Sequence, residues 1–331
     1  MADLQAAKAR VLAANAAVDA AEPHAVAAAL APHVGDNYHW RGMHPFHEQH
    51  GVDAVADVFW HPLKRAMGQT QRRPDMFLAG RNELDGWSSL WVVEMGHFMG
   101  LWDAPWLDIA PSRKLGFLRY AEFHRIEDDK IAETAMYVDI LNFLAQAGHR
   151  TVPSVTGMET LTPGPRTHDG LIHDTRDPEE GRITVALISA MVAELRGGGV
   201  RSPVDHLDRF WTDDMTWFGP GGIGMSGFKT GYQRGHTGPF EAGLDYVRHT
   251  EHVTRIGEGM FGGFFGYPSL TMRSNGYLGL PASDVAADMR IVDLYRREGD
   301  KLAENWIFID LPHFCNQQGI DLLAACRDRQ G

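Results

Sequence analysis

Leu4, Ala7, Val11, Ala14 and Val18 recur at three- and four-residue steps, which predicts a helix over 4–21 with one apolar face. A second short helix is expected over 25–30. The pattern then starts again far along the chain. In Asp177-Pro178-Glu179-Glu180, Asp177 can accept from free N–H groups, Pro178 suits the first helical turn, and the acids favour its positive end. Ile183, Leu187, Met191 and Leu195 mark the apolar face that follows. Gly197-Gly198-Gly199 is expected to end this helix through a left-handed cap. Ser202-Pro203 opens another short helix carrying Leu207 and Phe210. Strand character follows the helices in both halves, most clearly over 91–93, 118–126, 289–295 and 305–309. Glycine-rich corners lie at 219–224 and 257–266, and 149–176 has the Pro, Gly, Ser and Thr content of a linker. Each half therefore reads as helices followed by a curved antiparallel sheet, an α+β plan.

The two halves share text as well as pattern. Lys130-Ile131-Ala132-Glu133 runs on to Asp139, and Lys301-Leu302-Ala303-Glu304 runs on to Asp310, at a constant spacing of 171 residues. A repeat this long is a duplicated domain, since solenoid units are far shorter. The expected division is residues 1–150, a linker over 151–176, and residues 177–331. The length of 331 residues, with 44% hydrophobic and 22% charged residues, suits two globular domains.

A net charge of −12 argues against nucleic acid and anionic membranes as partners. No apolar run approaches the roughly 18 residues of a membrane span. Asp3, Lys8, Arg10, Asn15 and Asp19 interrupt the stretch where a signal peptide would be apolar. Cys315 and Cys326, the only cysteines, suggest a reducing compartment, so the expected location is cytoplasmic.

In the second half, Trp217-Phe218-Gly219-Pro220-Gly221-Gly222-Ile223-Gly224, His236, His252, the segment Asp293 to Asp300, and Glu304-Asn305-Trp306 follow one another in order. The first half keeps His44-Pro45-Phe46, Trp60-His61-Pro62, Gly96-His97 and Glu122-Phe123-His124-Arg125. After N-terminal helices, this set resembles the NTF2-like (cystatin-like) superfamily, and within it the SnoaL-like polyketide cyclase branch, in two tandem copies. The resemblance implies a conical pocket between helices and the concave sheet face, a small-molecule ligand, no cofactor, and pairing of cones. Here that pairing would be an internal pseudo-dimer, with a homodimer of the whole chain left open. It implies a cofactor-independent acid/base enzyme, polyketide cyclase-like, lyase or isomerase, acting on a small, largely apolar carbonyl compound. The alternative is a non-catalytic small-molecule-binding or scaffolding protein of the same fold. One departure stands out: where cyclases of this branch place an acid on the last strand, this chain has Met136 and Ile307.

If Ile307 takes that pocket-facing place, strand alternation points Asn305 and Ile309 the same way, with Glu304, Trp306 and Phe308 opposite. The preceding strand then offers Ile291, Asp293 and Tyr295. Asp293 on an apolar wall is a candidate proton carrier, because desolvation penalises the charged form. The competing reading pairs it with Arg255 or Arg273. His236 and His252 are candidates to share its proton, with Asn305 and Tyr295 bonding the substrate oxygen and Trp217 lining the pocket. In the first half, Glu122 and His124 form the matching acid/base candidates. His61, His97, Thr134 and Met136 are their substrate-binding neighbours. Which half works is left open.

His44-x-x-His47-x-x-His50 has ligand spacing, but Pro45 disfavours helix at His44, so no metal site is expected. Gly219 to Gly224 lacks the Gly-Lys-Ser/Thr ending of a phosphate loop and reads as a strand corner. The Trp102 to Trp106 loop could cover the first pocket or dock on the second half; docking is the expectation, because two exposed tryptophans would leave an apolar patch.

Overall fold

The computed structural model describes residues 2–198 and 202–327. The first half opens with the helix Ala2–Ala20 and the short helix Val26–Leu30. Its strands are β1 (Val34–Gly42), β2 (Glu48–His50), β3 (Met67–Arg81), β4 (Leu90–Trp102), β5 (Leu115–Glu127) and β6 (Lys130–Val138). They form one sheet in the order β2-β1-β6-β5-β4-β3. The second half opens with Pro178–Gly197 and Val204–Phe210. Its strands are β7 (Trp211–Phe218), β8 (Met225–Gly227), β9 (Leu244–His249), β10 (Thr254–Glu258), β11 (Phe261–Ser274), β12 (Ser283–Glu298) and β13 (Lys301–Ile309). The order is β10-β11-β12-β13-β7-β8, with β9 also paired to β11. In each sheet the first long strand runs parallel to the last one, β1 beside β6 and β7 beside β13, while the other pairs are antiparallel. Each half is thus an α+β cone, with helices against one face of its sheet.

Local chemistry explains the helix ends. Asp177 accepts from Glu179 N at 3.0 Å, as a side-chain N-cap. Gly198 has φ −90°, so the helix stops without the expected left-handed cap; Gly199 lies outside the described residues.

The faces of the sheets turned away from the helices meet each other. Ala121, Phe123 and Tyr137 of the first pack with Phe265, Val292 and Phe308 of the second in one apolar cluster. Trp306 and Phe308, which alternation points away from the pocket, both lie in this cluster. Two aspartates fasten the halves reciprocally. Asp139 caps its own helix at Asn142 N (3.1 Å) and accepts from Gly221 N of the other half (3.0 Å). Asp310 caps at His313 N (3.1 Å) and accepts from His44 N across the junction (2.9 Å). Gly221 has no room for a side chain: a Cβ would stand 2.1 Å from Asn142 N.

Residues 151–176 are packed along both halves. Phe77 N donates to Gly170 O (2.8 Å), and Trp306 Nε1 donates to Pro163 O (2.9 Å). The tryptophan loop departs from expectation. Trp102 and Trp106 both pack on Phe143 of their own half, with ring centroids 4.8 and 5.7 Å away, and are buried there. The aromatic surface supplied by Phe143 holds the two rings inside the first half, while the end of the loop does touch the second half, Arg327 Nε donating to Leu107 O at 3.1 Å.

Candidate active site

The second cone encloses a cavity of about 110 Å³. Alternate residues of β12 and β13 form its sheet wall: Ile291, Asp293 and Tyr295, then Asn305, Ile307 and Ile309. All six are the residues that period-two alternation selects. Asp293 stands opposite Ile307 on β13 and opposite Phe264 on β11, so its carboxyl rises from an apolar surface. Neither proposed cation reaches it. Arg255 binds Glu83 (2.9 Å), and Arg273 donates to Asp284 O (3.0 Å). Among the described residues no ion pair involves Asp293. Burial raises its pKa to about 7, against the opposing pull of Asn305 and the Tyr295 hydroxyl.

Asn305 has a different role from the one expected. Its Nδ2 donates to Asp293 Oδ1 and to Leu294 O, both at 3.0 Å. An amide has two N–H donors, and here both are engaged, so Asn305 aims the carboxyl instead of bonding a substrate oxygen.

The helical wall supplies the other polar atoms. An irregular π-helical turn, Gln233–Thr237, carries His236 into the wall, where its ring stacks on Trp217 at 3.9 Å. Burial pushes its pKa down to about 3, so the ring is neutral, and its Nδ1 is buried with no partner among the described residues. The first half repeats the turn at Ala56–Trp60, where Phe59 packs beside Trp40 at 5.7 Å. The tyrosine Tyr232 also lines the cavity. Sequence reasoning missed it, because a tyrosine between Gly231 and Gln233 gives no period that separates it from surface.

His252 does not join the site. It lies in the loop before β10, and its ring stacks on Phe264 at 3.8 Å, with Arg255 Nη2 3.3 Å from Nδ1. It is not among the residues lining the cavity. Burial beside Arg255 holds its pKa far below the usual histidine range.

In the first cone, Glu122 occupies the place of Asp293: it stands opposite Met136, as Asp293 stands opposite Ile307. Glu122, His124, Thr134 and Met136 are all buried on the inner face as expected. The interior, however, is occupied by a side chain. Arg72 of β3 binds Glu122, Glu94 (2.9 Å) and Asp19 (3.2 Å), and its guanidinium lies 4.9 Å from the Phe98 ring and 5.2 Å from the Tyr120 ring. Tyr120 donates to Glu94 at 2.6 Å. Burial raises Glu122 to about 7, with Arg72 opposing and Glu94 reinforcing. His124 bonds Thr134 through Nδ1 (2.9 Å), and its Nε2 is 4.0 Å from Glu122. Glu122 and His124 are therefore neighbours: Glu122 is held by Arg72, and His124 is held by Thr134 through Nδ1, while its Nε2 has no hydrogen-bond partner among the described residues.

Two further candidates have partners outside the Arg72 cluster. His61 sits on the helix His61–Ala66; its Nδ1 pairs with the largely exposed Asp57 at 3.0 Å, and its Nε2 is buried with no hydrogen-bond partner among the described residues. His97 lies one residue off the Glu94–Phe98 alternation. It therefore faces away from Arg72 and meets Asp75 at 3.3 Å.

Among the described residues, no group of three His, Cys, Asp or Glu is placed to hold a metal ion. No helix in them is long and apolar enough to cross a membrane.

No protein-family model and no curated protein sequence matches the chain. Solved structures do resemble it. A protein from Jannaschia sp. CCS1 assigned as a SnoaL-like polyketide cyclase is 13% identical, with 38% of this chain and 80% of that one covered and a TM-score of 0.32. An NTF2-like protein from Burkholderia thailandensis E264 is 19% identical, with 43% and 97% covered and a TM-score of 0.32. A protein from Rhodopseudomonas palustris assigned as an isomerase is 17% identical, with 43% and 97% covered and a TM-score of 0.33. The chain is thus similar to SnoaL-like and NTF2-like proteins, each over less than half of its length, and its own fold is two α+β cones in tandem.

Proposed function

We propose that the protein is a cofactor-independent acid/base enzyme that moves a proton on a small, uncharged carbonyl compound, as an isomerase or lyase, and that the second cone does the work. The observation that carries this reading is Asp293: a buried carboxyl on an apolar wall, aimed by Asn305, with a pKa raised to about 7 and no cation beside it among the described residues. A carboxyl poised near neutrality can both give and take a proton, the requirement for acid/base catalysis. Neutral Tyr232 and His236 are among the groups available to a substrate oxygen.

The cavity limits the substrate. Among the described residues no lysine or arginine lines it, so they offer a charged carboxylate or phosphate no counter-ion there. Its volume of about 110 Å³ is below the roughly 150 Å³ that admits benzene, which points to no more than about half a dozen heavy atoms. The first cone, filled by Arg72, is read as the supporting partner of an internal pseudo-dimer.

Solvent deuterium exchange into cyclopentanone, cyclohexanone and butanone tests the reading. The wild-type chain should accelerate exchange next to the carbonyl of at least one of them, and Asp293→Asn should abolish it with the fold intact. Equal exchange by both proteins would remove Asp293 from the chemistry.

A further inference from the structure

The cavity has a second polar pole, on its helical side. His206, from the helix Val204–Phe210, lines the same cavity as Asp293 and is 1% exposed. Its Nδ1 lies 3.1 Å from Glu194 Oε1, on the helix Pro178–Gly197. Glu194 also accepts from the Arg209 guanidinium. A carboxylate at Nδ1 makes that nitrogen the protonated one and leaves the lone pair on Nε2. Nε2 is buried and has no partner among the described residues. A buried polar atom without a partner calls for an explanation, and a visiting ligand supplies one. The dyad also leads outward: the Glu194 side chain is 31% exposed while His206 is enclosed, so a proton on the imidazole has a route to solvent. The matching short helix of the first half, Val26–Leu30, contains no histidine. The dyad therefore accompanies the open cavity and not the one filled by Arg72.

We propose that the Glu194–His206 dyad is a second proton carrier of this cavity, and that the substrate's proton transfer runs between His206 and Asp293. The proposal rests on the reading of Asp293 given above. In an enolisation, His206 Nε2 takes the proton as the C–H bond next to the carbonyl breaks. That electron pair forms the carbon–carbon double bond, the carbonyl π pair moves to oxygen, and the Asp293 carboxyl gives that oxygen its proton. The result is a neutral enol, an imidazolium facing Glu194, and an Asp293 carboxylate. Return of the enol O–H proton to Asp293, with delivery of the His206 proton to carbon, restores both groups. Delivery to a different carbon of a conjugated enol yields the isomer. His206 is thus a catalytic residue, and Glu194 a positioning residue acting through it.

Deuterium exchange into cyclopentanone, run with the full chain, separates the possibilities. His206→Asn keeps an amide donor toward Glu194 and removes Nε2. It should lose exchange by about 100-fold or more, as Asp293→Asn does. Wild-type exchange in His206→Asn alongside an inactive Asp293→Asn would overturn the second carrier and leave Asp293 standing. Absence of exchange in the wild type, with the other small ketones included, would overturn both. Should His206→Asn fail to fold, Glu194→Gln is the second variant, with an expected loss of about tenfold or more. Nitrogen NMR of the wild type gives an activity-free readout: the Nδ1–H tautomer at His206 supports the dyad, and the Nε2–H tautomer overturns it.

Discussion

Glu122 and Asp293 stand at the same place in their two sheets, one opposite Met136 and the other opposite Ile307, yet among the described residues only Glu122 meets an arginine. That single difference divides the chain into a filled cone and an open one. Burial pushes both carboxyls up to about 7, but the filled cone spends its acid on an ion pair.

Asp293→Asn should stabilise the fold at high pH while destroying activity. The folded pKa of Asp293 is raised, so its native state binds the proton more tightly than the unfolded chain does. Stability is therefore lost as pH rises from the unfolded value through about 7, and the charged form is penalised above it. Melting curves at about pH 8 should show the variant more stable than the wild type, by up to a few kcal/mol, and the gap should shrink toward about pH 5. A gap that does not change with pH would contradict the assignment.

Arg72→Met should destabilise the chain by about 3–5 kcal/mol, because it leaves Glu94 and Glu122 buried without their cation. The loss should grow with rising pH as Glu122 is forced to ionise. Below its melting point the variant should retain wild-type proton exchange, since Arg72 belongs to the other cone. A parallel loss of exchange would place the chemistry in the first half after all.

His236→Phe copies the first half, where Phe59 occupies the matching turn beside Trp40. The stack on Trp217 should survive and the melting temperature should hold. Exchange should fall by about tenfold or more if the neutral imidazole bonds the substrate oxygen. Acid stability should improve as well. The folded pKa of His236 is lowered to about 3, so the wild type loses stability as pH falls from the unfolded histidine value toward it.

Ile307→Asp would set a second carboxyl opposite Asp293, where the two strands are in register. Two carboxyls sharing one apolar site cannot both ionise easily, so one pKa rises further. The pH midpoint of exchange should move upward by about one unit or more. An unmoved midpoint would mean that Asp293 is not the group being titrated.

The sheet wall of the site was legible because alternation on β12 and β13 is strict, and one correct anchor at Ile307 fixed every neighbour. The filled cone was not. Arg72 lies in Gln-Thr-Gln-Arg-Arg, which reads as a solvent-facing strand, and nothing local says that Asp19, Glu94 and Glu122 converge on it. His206 and Glu194 were invisible for a related reason: they sit on two successive helices, and only the packing of one helix on the other joins them. His97 failed by one residue of alternation, and Asn305 by a count of donors that needs coordinates.

The account turns on one carboxyl, and carbon NMR can watch it directly. A pH titration of the Asp293 carboxyl carbon, assigned through Asp293→Asn, should show a midpoint near 7. A midpoint close to 4, the ordinary carboxylate value of about 3.9, would show Asp293 fully ionised at neutral pH and would leave the proposed proton transfer without its carrier.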